Sequence, residues 1–185
     1  MNSYKQTLKL ILIKAGKIIL YKKIKVEEKE KDEIVTSVDI AADDFIIKQL
    51  STEYPNIPIY SEEKENYKSQ SKTRWMVDPL DGTTPWVWGN SGFSISIALE
   101  KYGDIVVGAV YDPVMKEFFY AEKGKGVTRN ENPIRSAINV PLKEMLMVVD
   151  WGNKKEKRKE GLKYFKHFFF LKCLPEEFYL NLPQH

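Results

Sequence analysis

The order of helix-like and strand-like segments constrains the fold of this 185-residue chain more than any other feature. Apolar residues recur at helical spacing across residues 8–19, with lysines between them, and this pattern predicts an amphipathic helix. A second apolar stripe, at positions 46, 47 and 50, predicts another helix, and a run of short apolar segments follows it. Helices that precede consecutive strands indicate an α+β fold, with two N-terminal helices packed on a largely antiparallel sheet.

Five segments have the composition or alternation of strands. They are I-P-I-Y-S from Ile57, R-W-M-V-D ending at Asp78, F-S-I-S-I-A-L from Phe93, I-V-V-G-A-V-Y from Ile105 and E-F-F-Y-A-E from Glu117. The charged run at residues 26–33 is typical of a solvated turn or loop. The tripeptide G-K-G at 124–126 predicts a hairpin turn, since it lacks the remaining residues of a P-loop.

Charge and rare residues narrow the classes of function. The net charge of +3 is too close to neutral to indicate nucleic-acid binding. The single cysteine, Cys173, excludes an internal disulfide and favours a reducing compartment, and no apolar run is long enough for a membrane span. We therefore expect a soluble, cytoplasmic protein. With only His167 and His185 present, acid–base chemistry would depend on carboxylates and bound metal.

The stretch W-M-V-D-P-L-D-G-T-T-P-W, residues 75–86, is the strongest candidate for chemistry. Asp78 ends a predicted strand, Pro79 restricts the backbone, and Asp81 returns close to Asp78. Two carboxylates and the Leu80 carbonyl would form a cup of oxygen atoms suited to Mg²⁺. A D-P-x-D-G sequence also occurs in ordinary turns, because Asp, Pro and Gly all favour them.

The residues that follow this cup predict a seat for phosphate. Gly82 allows close approach of the backbone to a ligand. Thr83 and Thr84 have the position of a short helix's N-terminus, whose free N–H groups suit an anion. A cation site beside an anion site is the arrangement that phosphoryl transfer requires.

Several motifs in order resemble one family. V-D-P-L-D-G-T-T at 77–84 is similar to the signature of the inositol monophosphatase superfamily, the Mg²⁺-dependent, lithium-sensitive sugar phosphatases. S-E-E at 61–63 and V-T-S-V-D at 35–39 resemble two further motifs of that family. S-I-S-I-A-L, G-A-V-Y-D-P and A-E-K-G-K-G then follow in the family's order. The resemblance covers residues 4–150.

The resemblance implies a set of metal ligands for two or three Mg²⁺ ions. Glu62, Asp78 and the Leu80 carbonyl correspond to ligands of a first ion. Asp78 and Asp81 correspond to ligands of a second, and Asp39 to the carboxylate that helps to hold a third. Spacing alone does not link Glu62 to Asp78.

The resemblance also implies catalytic and substrate-binding roles. Glu62 and Thr83 correspond to the pair that orients the attacking water, with Asp39 nearby. The expected substrate-binding residues are Asp81, Gly82, Thr83 and Thr84. The implied reaction is hydrolysis of a small polyol or sugar phosphate by metal-activated water. Inositol monophosphate, fructose 1,6-bisphosphate, histidinol phosphate and a 3′(2′),5′-bisphosphate nucleotide remain open as substrates.

The family's later W-D-x-A-like segment is not found, since Asp150 and Trp151 stand in the reverse order. We therefore expect a metal- and phosphate-binding domain at 4–150 and a basic helix with a truncated tail at 151–185, the C-terminal half of the fold being missing. An exposed apolar face would then favour low stability or a homodimer. The alternative is a catalytically incomplete, metal- or phosphate-binding partner subunit.

The basic segment at 154–172, in which phenylalanines interleave with lysines, allows a third reading. A helix of this kind can bind a membrane or nucleic acid. A solvated helix that packs its aromatic face on the sheet is the commoner arrangement. We therefore expect neither a membrane nor a nucleic acid as partner.

Overall fold

The computed structural model of the chain describes residues 3–21, 26–29, 33–64, 71–137 and 140–141, with backbone only for 26–29 and 33–36. Met1–Arg135 form one compact unit. The second unit, Ser136–His185, falls almost wholly outside the described residues, as do the predicted domain boundary at 150 and the predicted basic helix. No described helix is long and apolar enough to cross a membrane.

Three helices and nine strands are described. In chain order they are α1 (Tyr4–Tyr21), β1 (Val26–Lys29), β2 (Glu33–Thr36), α2 (Ser37–Glu53), β3 (Ile59–Ser61), β4 (Thr73–Asp81), α3 (Thr83–Val87), β5 (Ser94–Lys101), β6 (Asp104–Asp112), β7 (Glu117–Glu122), β8 (Gly126–Arg129) and β9 (Asn132–Ile134). Strands β3 to β9 form a seven-stranded sheet in sequence order, in which β3 and β4 alone run parallel. The predicted α+β fold with a largely antiparallel sheet is confirmed.

The core lies between the two long helices and one face of the sheet. The predicted apolar stripes are the buried faces of α1 and α2. Alternate residues of the central strands complete the core: Trp75, Val77, Ile95, Ile97, Leu99, Val107, Ala109, Phe118 and Tyr120. Because the side chains of a strand alternate between faces, this period of two matches the alternation seen in the sequence.

Gly16 of α1 packs closely against Tyr111 of β6 and the adjacent Pro113. A Cβ atom added there would lie 2.8 Å from Tyr111 Cε1 and 2.9 Å from Pro113 Cβ. We expect Gly16→Ala to destabilise the chain by about 1–2 kcal/mol, because overpacking outweighs the gain of about 1 kcal/mol in helix propensity. Urea unfolding measures this, with the exposed Lys17→Ala as control. A Gly16→Ala variant more stable than the parent would contradict the close packing.

Two local predictions were wrong, and two short strands were not predicted. The charged run at 26–33 includes strand β1, which pairs antiparallel with β2. The β-branched residues of β2 favour a strand, and β2 pairs with β1 through backbone hydrogen bonds. The charged composition of β1 gave no sign of this pairing. Strands β8 and β9 were not predicted, because they are three or four residues long and contain Gly, Asn and Pro. Strand β4 continues past Asp78 to Asp81.

Candidate active site

A β-bulge places the two aspartates of the D-P-L-D sequence at the end of β4. Asp78 pairs with Ser96 of β5, and Asp81 pairs with Ser94, so β4 has one residue more than its partner over this stretch. Pro79, which has no N–H to donate to the ladder, is tolerated in such a bulge. Asp78 Oδ1 accepts the Leu80 N–H at 3.1 Å. The oxygen-rich segment is therefore an irregular strand end rather than a turn that follows the strand.

Parallel pairing of β3 with β4 brings Glu62 to this edge. Ser61, the last residue of β3, is the register partner of Val77, and the Glu62 N–H donates to the Val77 carbonyl at 3.1 Å. Because parallel strands end at the same edge of a sheet, Glu62 follows β3 next to Asp78 of β4. The structure thus brings together two carboxylates that lie in separate segments of the sequence.

Burial and neighbouring negative charge together raise the pKa of Asp78. The pKa of its half-buried carboxyl is raised to about 7, chiefly by burial and then by the nearby charges of Glu62 and Asp81. A side-chain hydrogen bond with Glu62 acts in the same direction, whereas the hydrogen bond from the Leu80 N–H opposes it. Glu62 and Asp81, which are both exposed, therefore lie close enough to Asp78 to disfavour its charged form.

The Thr83 hydroxyl connects the bulge to α2. Thr83 Oγ1 lies 3.1 Å from Asp39 Oδ1 and 3.0 Å from the Leu80 carbonyl oxygen, and its single proton is donated to one of these acceptors at a time. Asp39 is in the first turn of α2, as predicted, and only 1% of it is exposed. Asp39, Leu80 and Thr83 are thus brought together, although Asp39 and Thr83 are 44 positions apart.

Gly82 makes the sharp connection from β4 to α3. Its φ of 92° is in the left-handed region, and a Cβ atom would lie 2.6 Å from the Gly92 carbonyl oxygen. Helix α3 begins at Thr83, as predicted, and the Trp86 N–H donates to the Gly82 carbonyl at 3.0 Å. The half-buried Thr84 follows in the same turn.

The donor set is suited to a hard cation, although it does not form a finished cage. Within the described ranges, no three or more Asp, Glu, His or Cys side chains are arranged to hold a metal ion. Glu62, Asp78, Asp81 and the Leu80 carbonyl nevertheless offer only oxygen atoms, as Mg²⁺ prefers. A bound cation would offset both the burial and the charge repulsion that raise the pKa of Asp78. The residues therefore fit Mg²⁺ chemically, with side-chain movement required on binding.

A buried contact beside the site was not predicted from the sequence. Asp43 of α2 is fully buried, and its Oδ1 accepts the Ser61 hydroxyl at 2.5 Å. Lys64 Nζ lies 3.6 Å from Asp43 Oδ2. The available signal was the position of Asp43, four residues after Asp39 on the face of α2 that also buries Ala42 and Ile46.

Comparison with known proteins assigns the family. The sequence model of the inositol monophosphatase family matches residues 3–177. The inositol-1-monophosphatase of Mesorhizobium japonicum is 38% identical over 120 residues, which are 64% of this chain and 45% of the relative. The 3′(2′),5′-bisphosphate nucleotidase CysQ of Salmonella typhimurium is 40% identical over 115 residues, which are 60% of this chain and 46% of the relative.

A solved structure agrees with this assignment. The IMPase of Thermotoga maritima has a TM-score of 0.66 and 31% identity, covering 72% of this chain and 54% of that one. The chain spans about half the length of the curated relatives it matches. The expectation that the C-terminal half of the fold is missing holds only in part, because the family match continues past residue 150 to residue 177. On the ordered motifs, the fold and these matches, the chain belongs to the inositol monophosphatase family.

Proposed function

We propose that this chain is a Mg²⁺-dependent phosphomonoesterase that hydrolyses a small polyol or sugar phosphate. The observation that carries the proposal is the convergence of Glu62, Asp78 and Asp81 at the end of β4, next to the Gly82–Thr83 connection, which accompanies a raised pKa of Asp78. Crowded carboxylates beside a sharp strand-to-helix connection suit a phosphate ester and its counter-cation. The names of the relatives, which include an inositol-1-monophosphatase and a bisphosphate nucleotidase, support phosphate esters as the substrate class.

The metal-holding groups would be Glu62, Asp78, Asp81 and the Leu80 carbonyl, with Asp39 helping to hold a further ion. Bound Mg²⁺ would neutralise charge on the phosphate, acidify the attacking water and stabilise the leaving alkoxide. The protein itself contributes the placement of Glu62 and the orientation of the Thr83 hydroxyl. The parallel β3–β4 pairing aims Glu62 at this edge, and the Asp39 carboxylate orients the Thr83 hydroxyl.

In this proposal Glu62 accepts a proton from the attacking water, and Thr83 orients that water through its hydroxyl oxygen. When Thr83 donates its proton to Asp39 or to the Leu80 carbonyl, the lone pairs of its oxygen remain free to accept a hydrogen bond from water. The N–H groups of Gly82, Thr83 and Thr84 would bind the phosphoryl oxygens, and Asp81 would contact the substrate. The left-handed φ of Gly82 lets the backbone approach the phosphate closely.

Replacement of Glu62 tests the chemistry. We expect Glu62→Gln to lower Mg²⁺-dependent phosphate release from inositol monophosphate at least tenfold, because the amide is a poor base and a weaker Mg²⁺ ligand. The matched control is Asp104→Asn, an exposed carboxylate paired with Lys123 at the end of β5–β6 away from Ser94. Equal rates for parent and Glu62→Gln, or equal rates with and without Mg²⁺, would contradict the proposal.

Comparison of substrates with this assay would distinguish the specificities that remain open. Inositol monophosphate, fructose 1,6-bisphosphate, histidinol phosphate and a 3′(2′),5′-bisphosphate nucleotide would be compared at equal concentration. The same purified chain allows the predicted homodimer to be tested by sedimentation equilibrium. A monomer at all concentrations would contradict that prediction.

A second candidate function is a catalytically incomplete partner subunit that binds metal or phosphate. It is favoured by the unfinished cage among the described carboxylates. Calorimetric Mg²⁺ titration beside the turnover assay separates the two candidates. Binding without turnover supports the partner subunit, and binding with turnover supports the enzyme.

A further inference from the structure

We propose that Asp43 is a positioning residue for Glu62, and that its buried hydrogen bond with Ser61 fixes the turn at 61–64 against α2. The inference rests on the proposed function in one respect, namely the role of Glu62 as a metal ligand and base. Asp43 itself touches neither the proposed cation nor the substrate. Its effect would reach the site only through the backbone of the turn.

The turn at 61–64 holds Glu62 at its apex. Ser61 ends β3, and Ser61 and Lys64 form an isolated antiparallel bridge in which the Lys64 N–H donates to the Ser61 carbonyl at 3.2 Å. Glu62 therefore follows the last strand residue directly, and its direction is set by how the two ends of the turn are held.

Both ends of this turn are tied to α2. At one end, the Ser61 hydroxyl donates to Asp43 Oδ1 at 2.5 Å, and both residues are buried. At the other end, Lys64 Nζ donates to Asp44 Oδ1 at 2.8 Å and lies 3.6 Å from Asp43 Oδ2. Between them, the Glu62 N–H is bonded to the Val77 carbonyl of β4. These three attachments join four consecutive residues to two different elements.

The buried contact between Asp43 and Ser61 contains a strong hydrogen bond, but burial of the Asp43 carboxylate costs free energy. A hydrogen bond to a carboxylate is stronger than one between neutral groups. Asp43 is 0% exposed, and burial raises the pKa of its carboxyl. Its Oδ2 accepts no hydrogen bond from the described residues. An apolar side chain on this helix face would avoid that cost, so the contribution of the carboxylate is to fix Ser61 rather than to add stability.

Repulsion between the carboxylates of the site acts against the position in which the Asp43–Ser61 hydrogen bond holds the turn. Glu62 follows β3 next to Asp78 of β4, and Asp81 follows Asp78 across the bulge, so the like charges of these three carboxylates repel one another. Glu62 is exposed, so packing around its own side chain does little to hold it near Asp78. Repulsion would move the turn outward, and the Asp43–Ser61 hydrogen bond opposes this movement from the buried side.

Amide hydrogen exchange in the metal-free 185-residue chain tests the attachment without requiring activity. We expect Ser61→Ala to speed exchange at residues 62–64 by about ten- to a hundredfold, as expected for loss of a hydrogen bond to a charged group. Asp43→Ala should match it. Asp43→Asn should change exchange less, because the amide oxygen still accepts the Ser61 hydroxyl. The matched control is Asp104→Asn, an exposed carboxylate that pairs with Lys123 and has no contact with the turn.

Calorimetric titration with Mg²⁺ gives the second readout. Ser61→Ala should weaken Mg²⁺ binding about tenfold, whereas Asp104→Asn should leave it within twofold of the parent. Unchanged exchange at 62–64 in both Ser61→Ala and Asp43→Ala would overturn the inference, as would faster exchange spread equally through α1 and β5. A parent chain that binds no Mg²⁺ would instead overturn the proposed function, and exchange alone would then decide whether Asp43 holds the turn.

Discussion

Replacing Asp78 by asparagine is expected to stabilise the metal-free chain at pH 8 and to reduce the pH dependence of its stability between pH 4 and 7. In the folded chain the pKa of Asp78 is about 7, above the ordinary value of 3.8 that applies when the chain is unfolded. Between these values the folded state binds more protons than the unfolded state, so stability falls as pH rises. Below pH 4 Asp78 is protonated in both states, so the loss of stability caused by ionising it in the folded chain disappears.

The loss of stability caused by the ionised Asp78 carboxylate reaches its full size above pH 7. A shift of about three units corresponds to at most about 4 kcal/mol, and the partial exposure of Asp78 screens it to a smaller value. Urea unfolding at pH 5 and pH 8 in the presence of a chelator measures the effect, with Asp104→Asn as the control. An Asp78→Asn variant with the pH dependence of the parent would contradict the crowding of carboxylates around Asp78.

Mg²⁺ should reverse this loss of stability in the parent chain. A cation that binds only the folded state stabilises it in proportion to the logarithm of its concentration above Kd. We expect millimolar Mg²⁺ at pH 8 to raise the Tm of the parent and of Asp104→Asn, and to leave the Tm of Asp78→Asn nearly unchanged. The residue that destabilises the metal-free fold would thus be the residue through which the cation stabilises it.

Gly82→Ala is expected to have the second large effect, a loss of about 3 kcal/mol of stability together with loss of phosphate binding. An L-residue with a φ of 92° costs about 1–2 kcal/mol. The new Cβ would also lie 2.6 Å from the Gly92 carbonyl oxygen, which is a backbone atom that no side-chain rotation can remove. Relief requires movement of the connection into α3, and Thr83 moves with it.

Gly89→Ala is the matched control for this substitution. Gly89 also has a positive φ, of 77°, but a Cβ atom there would meet nothing within 4 Å. We expect it to cost about 1 kcal/mol, from backbone conformation alone. The difference between the two variants in urea unfolding then isolates the clash with Gly92. Equal losses would show that the backbone at Gly82 relaxes freely.

Much of the fold was predictable because it depends on near neighbours. The helix period across 8–19 and the strand alternation from Phe93 reflect which face of each element is buried, and both predictions were confirmed. The hairpin of β1 and β2 was missed because the charged composition at 26–33 is typical of a loop, whereas pairing with β2 stabilises a strand there. The strand end at Asp78 was misplaced because the bulge depends on the register with β5.

By itself, the sequence determined the two amphipathic helices, the strand run and the local chemistry of D-P-L-D-G-T-T, since these follow from residues a few positions apart. Only the tertiary structure decided which distant side chains meet: Glu62 with Asp78 through the parallel β3–β4 pair, Asp39 with Thr83, and Asp43 with Ser61. The physical reason is that the pKa of Asp78 and the position of Glu62 depend on burial and on charges that packing brings together. The spacing of residues along the chain determines neither of them.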